Sequence, residues 1–177
     1  MKGHPATGKS SLASGLATAL GWPLLDKDDI KDHTLRLADG NQLAYTILWQ
    51  LVETQLRLGL NVIADSPLSY PADYARCCAL ASHYQSTLLV VETRLDEPLW
   101  RARLEARSAQ PSLHKVASWP AMQTLLARYD GCWNYPIGSE QHLVVDTGRS
   151  AEHCIAQAMN RIEGKNEQSD SCAASAT

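Results

Sequence analysis

The chain contains no phenylalanine, so its aromatic surface rests on five tryptophans and six tyrosines. Each of these carries a polar atom that needs a partner when buried. No Cys-x-x-Cys pair occurs, and the five cysteines (Cys77, Cys78, Cys132, Cys154 and Cys172) are odd in number and scattered. That spacing argues against a zinc site and against a disulfide framework, and reduced thiols in a cytosolic setting are the simpler expectation. No apolar run approaches the roughly twenty residues of a membrane span, and no signal-peptide pattern opens the chain. The expectation is a cytoplasmic protein without a membrane partner, unless a targeting segment precedes Met1. There is also no excess of one charge sign. A net charge of −3 gives no global pull toward nucleic acid or an anionic surface. With 45% hydrophobic and 20% charged residues over 177 positions, the composition is that of one domain large enough to bury a core.

What is present begins almost at once. Gly3-His4-Pro5-Ala6-Thr7-Gly8-Lys9-Ser10 fits GxxxxGKS, the phosphate-binding loop, and Ser11 follows it. The two glycines permit a wrapped backbone whose N–H groups point inward at phosphate oxygens. Lys9 supplies a point charge for the β- and γ-phosphates, and the Ser10 hydroxyl suits one position on Mg²⁺. A helix opening near Lys9 adds unpaired N–H groups and its positive dipole end. Leu12, Leu16, Ala19 and Leu20 give that helix an apolar stripe, and Gly21 stands where it should stop.

Further along, Trp22 to Leu25 reads as a short strand ending in the acidic Asp26-Lys27-Asp28-Asp29, with a short helix from Asp29 to Leu37. A long helix is expected from Gln42 to Leu58, and a buried strand from Asn61 to Asp65. Pro71 to Tyr84 reads as a helix, and Thr87 to Thr93 is the most β-like segment in the chain. Asp96 can cap the next helix, which runs to Arg107 and carries Arg103. Ser108 to Ser118 is polar and reads as a loop. Pro120 to Tyr129 is helical, His142 to Asp146 is the last strand, and Ser150 caps a final helix ending near Ile162. From Gly164 to Thr177 the chain is polar and of low complexity, so residues 1–163 form the domain and 164–177 a disordered tail.

Strands alternating with helices imply a parallel sheet with helices on both faces. Such sheets place their ligand at the C-terminal strand ends, where Asp28, Asp65 and Asp146 all fall beside the phosphate loop.

GHPATGKS, DKDDIK, the strand ending Asp65-Ser66, RLEAR (Arg103 to Arg107) and the strand ending Asp146-Thr147 together resemble the small P-loop kinases of the nucleoside-monophosphate-kinase-like fold. The subgroup is the one filed as an AAA-type domain, with polynucleotide 5′-kinase, zeta toxin and antibiotic phosphotransferases. The resemblance covers Gly3 to Ile162. It implies a P-loop NTPase three-layer α/β/α fold with a parallel sheet of order 2-3-1-4-5, with ATP and Mg²⁺ as cofactors. It implies that Gly3 through Ser11 hold the nucleotide with Thr147 and Arg149, and that Ser10 and Asp65 hold the metal. Asp28 would accept the proton of an acceptor hydroxyl, helped by Lys9, Arg103 and Arg107 on the transferring phosphoryl. Lys31 matches a contact to acceptor phosphate, while Tyr70, Tyr74 and Arg76 are candidates for the acceptor pocket. Bland readings stand beside these: Asp28 or Asp29 as a helix cap, Asp65 as a turn residue, the arginines as solvated helix residues.

One departure stands out. A phosphate loop normally follows a buried strand, yet only Met1 and Lys2 precede Gly3, and a strand takes about five or six residues. The central strand would be largely missing, leaving inner edges of the Asn61 and Thr87 strands unpaired, and a longer native form is expected. The leading functional expectation is an ATP-dependent phosphotransferase with a hydroxyl-bearing small-molecule acceptor. A polynucleotide or nucleoside 5′-kinase and a nucleotide-binding module with little turnover are the alternatives.

Overall fold

The computed structural model describes residues 1–107 and 116–164. Most of the expected polar loop after Arg107, and the expected tail apart from Gly164, lie outside them. Seven α-helices and four strands occur among the described residues: α1 (Lys9–Leu20), β1 (Leu24–Asp26), α2 (Lys27–Thr34), α3 (Gly40–Arg57), β2 (Ile63–Asp65), α4 (Pro71–His83), β3 (Val90–Arg94), α5 (Glu97–Ala106), α6 (Trp119–Tyr129), β4 (His142–Asp146) and α7 (Ala151–Ile162). None of the described helices is long and apolar enough to cross a membrane.

Local chemistry accounts for most boundaries. Gly21 ends α1 in the left-handed region (φ 66), which glycine adopts without a steric cost. Ser118 and Ser150 cap α6 and α7 by accepting from Ala121 N and His153 N. The cap of α2 is Asp26, whose carboxylate accepts from Asp28 N at 2.8 Å. The helix therefore starts at Lys27, and neither Asp28 nor Asp29 caps it. Asp96 stands at the N-cap of α5 with no side-chain bond, so Pro98 and the extended Asp96 backbone open that helix instead.

The strands pair in parallel as β1–β2, with Leu24 opposite Ile63 and Asp26 opposite Asp65, and as β3–β4, from Val90 opposite His142 to Arg94 opposite Asp146. Met1 to Gly3 lies between these halves. Met1 N donates to Ala64 O at 2.8 Å on one side, and Lys2 N donates to Val91 O at 2.8 Å on the other. Thr93 N donates back to Lys2 O at 2.9 Å. The spatial order is thus the expected 2-3-1-4-5, with the central position held by one bridging stretch. The inner edges are not wholly unpaired: their C-terminal ends are bridged, and only the preceding backbone lacks a ladder.

That shortage shortens the neighbours. β2 begins at Ile63 although the expected strand starts at Asn61, and β3 begins at Val90 although the expected strand starts at Thr87. Backbone becomes a strand only where another backbone meets it. Between the two runs lies a cavity of about 580 Å³, walled by Leu16, Trp49, Val62, Leu80 and Leu89 among others.

Helices cover both faces. On one, α1 and α7 bury Leu12, Leu16, Cys154 and Ala158 against Ile63, Val91 and Val145. Gly15 leaves room there for Ile155, whose Cδ1 would sit 2.5 Å from a Cβ at that position. On the other face, Trp49 and Val52 of α3 pack on Leu68 and Val90. A third cluster joins α5 and α6 to the loop before α1, through Leu104, Met122 and Ala6.

Candidate active site

Gly3 to Ser10 leaves the sheet centre and wraps into the first turn of α1. Gly8, at φ 82, and Ala6, at φ 66, are both in the left-handed region, which curls the backbone. A side chain on Gly3 would collide with Thr93 Oγ1. The curl is pinned from several directions. Thr7 Oγ1 donates to His4 O at 2.8 Å and shares a 2.7 Å bond with Thr93 Oγ1; Thr147 Oγ1 donates to Thr7 O at 2.6 Å; Trp100 Nε1 donates to Pro5 O at 2.7 Å. No side chain caps α1 at Gly8. The loop and helix start therefore offer N–H groups around Lys9, Ser10 and Ser11 to an anion.

Lys9 Nζ lies 2.6 Å from Asp65 Oδ1, and the Asp65 side chain is 0% exposed. Its Oδ2 is buried without a hydrogen-bond partner among the described residues. An ionised carboxylate in that state calls for a further cation or ordered water. Beside it, Asp26 opposes Asp65 across β1–β2. Burial raises the Asp26 carboxyl above its ordinary range, helped by the nearby charges of Asp65 and Asp28. Asp28, the second residue of α2, is held by Lys27 Nζ at 2.9 Å and its side chain is about one-third exposed. The strand end and helix start thus put Asp28 and Lys9 around one acidic centre.

On the far side of the loop, Arg103 and Arg107 from the end of α5 meet Thr147 and Arg149 after β4. With Ala6, Gly8, Ser11 and the α7 residues they line a cavity of about 420 Å³. Arg103 Nη2 donates to Thr147 O at 2.8 Å, which fixes the guanidinium at the cavity wall. Arg149 is exposed and lies 4.0 Å from Asp146, whose Oδ1 accepts from Gly148 N. Asp146 serves its own turn rather than the acidic centre.

Several features had no signal in the sequence. His4 stacks on Trp133 at 3.7 Å and on Trp100 at 5.2 Å between centroids. Burial, and then the charge of Lys2, lower its pKa to about 4, so it is neutral near pH 7. Lys2 itself is buried, 3.5 Å above the Trp133 ring, and donates to Trp133 O. Burial lowers its pKa to about 8. Glu92, buried in β3, binds Arg94 and His142; burial opposes its charge, but these partners and Lys2 hold its carboxyl below the usual range. Lys27 was legible only as a neighbour of Asp28. Of the acceptor-side candidates, Tyr70 is exposed with its ring edge on Tyr129, Tyr74 donates to Gln141 Oε1 at 2.6 Å, and Arg76 lies 5.9 Å from the Trp49 ring. Tyr74 is thereby held as a structural contact. Burial, then the charge of Lys27, lowers Lys31 below its ordinary pKa.

A family profile described as an AAA domain matches residues 1–130. Among solved structures, a proposed kinase from Chloroflexus aurantiacus aligns with a TM-score of 0.71 and 24% identity, over 90% of this chain and 95% of its own. A gluconokinase from Sinorhizobium meliloti aligns at 0.65 and 16% identity, over 92% and 89%. The APS kinase of Mycobacterium tuberculosis, solved with AMPPNP and APS, aligns at 0.61 and 15%, over 92% and 94%. Curated proteins give no match. At these identities the solved structures establish the fold, a three-layer α/β/α P-loop architecture.

Proposed function

The chain belongs to the AAA domain family, and on that premise we propose that it is an ATP-dependent phosphotransferase acting on a hydroxyl of a small molecule. The backbone from Gly3 to Ser11 cradles the triphosphate, and Lys9 turns from Asp65 to the β- and γ-phosphates. Thr147 and Arg149 flank the base and ribose in the 420 Å³ cavity. Arg103 and Arg107 close from its wall on the charge that gathers on the transferring phosphoryl. Ser10 and the unpartnered Oδ2 of Asp65 suit Mg²⁺ as hard oxygen ligands, directly or through water. When bound, the ion neutralises charge on the β- and γ-phosphates.

Asp28 accepts the proton of the acceptor hydroxyl while its oxygen bonds to the γ-phosphorus and the bond to the ADP oxygen breaks. Lys27 holds that carboxylate in place. The observation that carries the kinase reading over a passive nucleotide module is this third carboxylate. A module needs the loop, Lys9 and a metal ligand, but has no use for a partly exposed aspartate steered by a buried lysine. The gluconokinase, sugar kinase and APS kinase that share the fold carry the names of small-molecule kinases, which supports a small acceptor. A net charge of −3 lends nothing to a nucleic acid acceptor. Free Cys77, Cys78, Cys132 and Cys154 support a reducing, cytoplasmic setting.

The test is ADP release with Mg²⁺ and ATP across a panel of sugars, sugar acids and amino alcohols. One class should stimulate turnover. Asp28→Asn should lower that rate by about 10²–10⁴-fold, with ATP affinity within about twofold of the parent. Full turnover in that variant, or no stimulation by any hydroxyl compound, would sink the proposal.

A further inference from the structure

The outer face of α3 is uncharged and rich in leucine. From Gly40 to Gln55 the only charged residue is Glu53, whose carboxylate accepts from the Tyr84 hydroxyl at 3.0 Å. At 3.6 residues per turn, Leu43, Ile47, Gln50, Leu51, Thr54 and Leu58 fall within one arc of about 100°, opposite the buried Trp49 and Val52. Leu43 is 36% exposed, Leu51 40% and Leu58 64%, and Leu37, just ahead of the helix, is 55%. A solvated helix face ordinarily carries charge, whereas a contiguous apolar one marks an interaction surface. Residues 108–115 and 165–177 bring one large apolar side chain between them, Leu113, and so offer little to cover the stripe.

The order of the stripe identifies its partner. Leu43 and Leu51 stand four residues on either side of Ile47, and Leu37 and Leu58 stand ten before and eleven after it. The charges follow the same plan, with Asp39 eight before Ile47 and Arg57 ten after. Asp39 and Arg57 are 18 positions apart, or five full turns, so they share one edge of the helix. Both are exposed, and Asp39 makes no capping bond to its own helix. A face with apolar symmetry about its midpoint and opposite charges at its ends complements itself run backward. We propose that two copies of this chain pair through α3, helix antiparallel to helix about a two-fold axis at Ile47. Such an axis brings the same edge of each helix together. Leu43 then packs on the partner's Leu51, Leu37 on the partner's Leu58, and Arg57 stands beside the partner's Asp39. One helix face per copy is a small interface, which corresponds to a dissociation constant of about 1–100 µM.

Sedimentation velocity of the full chain from about 1 to 200 µM should show monomer passing to dimer. Leu51→Lys should weaken the dimer by about 100-fold or more, because each copy then buries an ammonium group against leucine. Asp39→Arg and Arg57→Asp should each weaken it by about tenfold, and the double exchange should restore it to within about threefold. A face that is merely exposed gives no such rescue. Ile47→Cys, on the axis, should form an intermolecular disulfide on mild oxidation beyond the background of the parent. Melting temperatures within about 2 °C of the parent's would show that these surface changes leave the fold intact. A monomer throughout the range would overturn the proposal. So would a dimer that Leu51→Lys and both single charge exchanges leave unchanged, since another surface would then hold it. None of these readouts uses a nucleotide or an acceptor.

Discussion

Asp65 presents one oxygen to Lys9 and buries the other without a partner among the described residues, so under the proposed function nucleotide binding would exchange one ion pair for another. Lys9→Ala should lower ATP affinity by about 100-fold or more, because a desolvated charge-assisted contact to phosphate is lost. Isothermal titration checks it, and unchanged affinity would remove Lys9 from the site. His4 carries a prediction of the opposite kind. Its folded pKa, about 4, lies below the ordinary 6.5, so between these values the unfolded chain binds more protons. Its contribution is present above about pH 6.5 and is lost as pH falls toward 4. His4→Phe keeps an aromatic ring on Trp133 without the proton. Its melting temperature should fall less than the parent's between pH 7 and pH 5, and parallel curves would contradict the assignment. At this scale the reading of the sequence singled out Lys9, Asp65 and Asp28 by type and spacing, and the structure pairs Lys9 with Asp65 and Asp28 with Lys27. The reading missed the aromatic bed of His4, since Trp100 and Trp133 reach it only through the fold.

Among the elements, α5 carries the arginines that the proposed function brings to the nucleotide, and its placement sets where they stand. Leu104 is fully buried against Met122 and Ala6, one residue from Arg103. Leu104→Ala should destabilise by about 2–5 kcal/mol through the cavity it leaves. It should also raise the KM for ATP, because Arg103 loses the support that aims it at Thr147 O. Loss of stability with KM unchanged would mean that α5 is not held through this contact. Gly8 makes the complementary case. At φ 82, with Thr147 Cβ 3.4 Å from where a side chain would begin, Gly8→Ala should cost about 1 kcal/mol or more and weaken ATP binding together with stability. The starts and stops of the helices followed from periodicity and punctuation. The strand lengths did not, because Asn61 and Thr87 have strand-forming neighbours but lack a facing backbone. The cap of α2 was misplaced for a related reason: three acidic residues compete locally, and the ladder to β2 selects Asp26.

At the level of the whole molecule, the two halves of the sheet are joined by Met1 to Gly3 and clamped from the loop side by Thr7, Thr93 and Thr147. A ligand seated on that loop touches both halves at once. MgATP at about 100 times its Kd should stabilise the chain by about 2.7 kcal/mol, a rise of about 5–11 °C in the melting temperature for a domain of this size. Lys9→Ala should abolish most of that rise, and a rise that survives would place the nucleotide elsewhere. By itself, the sequence determined whatever depends on contiguous residues. This includes the phosphate loop through its glycines, the helices through their apolar period, the alternation that makes a parallel sheet, and the tie to P-loop kinases through motif order. Tertiary structure alone decided which distant groups meet: Lys9 with Asp65, 56 positions apart, and Thr147 with Thr7, 140 apart. It also decided where strands begin. Such contacts depend on backbone supplied from elsewhere in the chain, and no local run of side chains encodes whether that backbone is there.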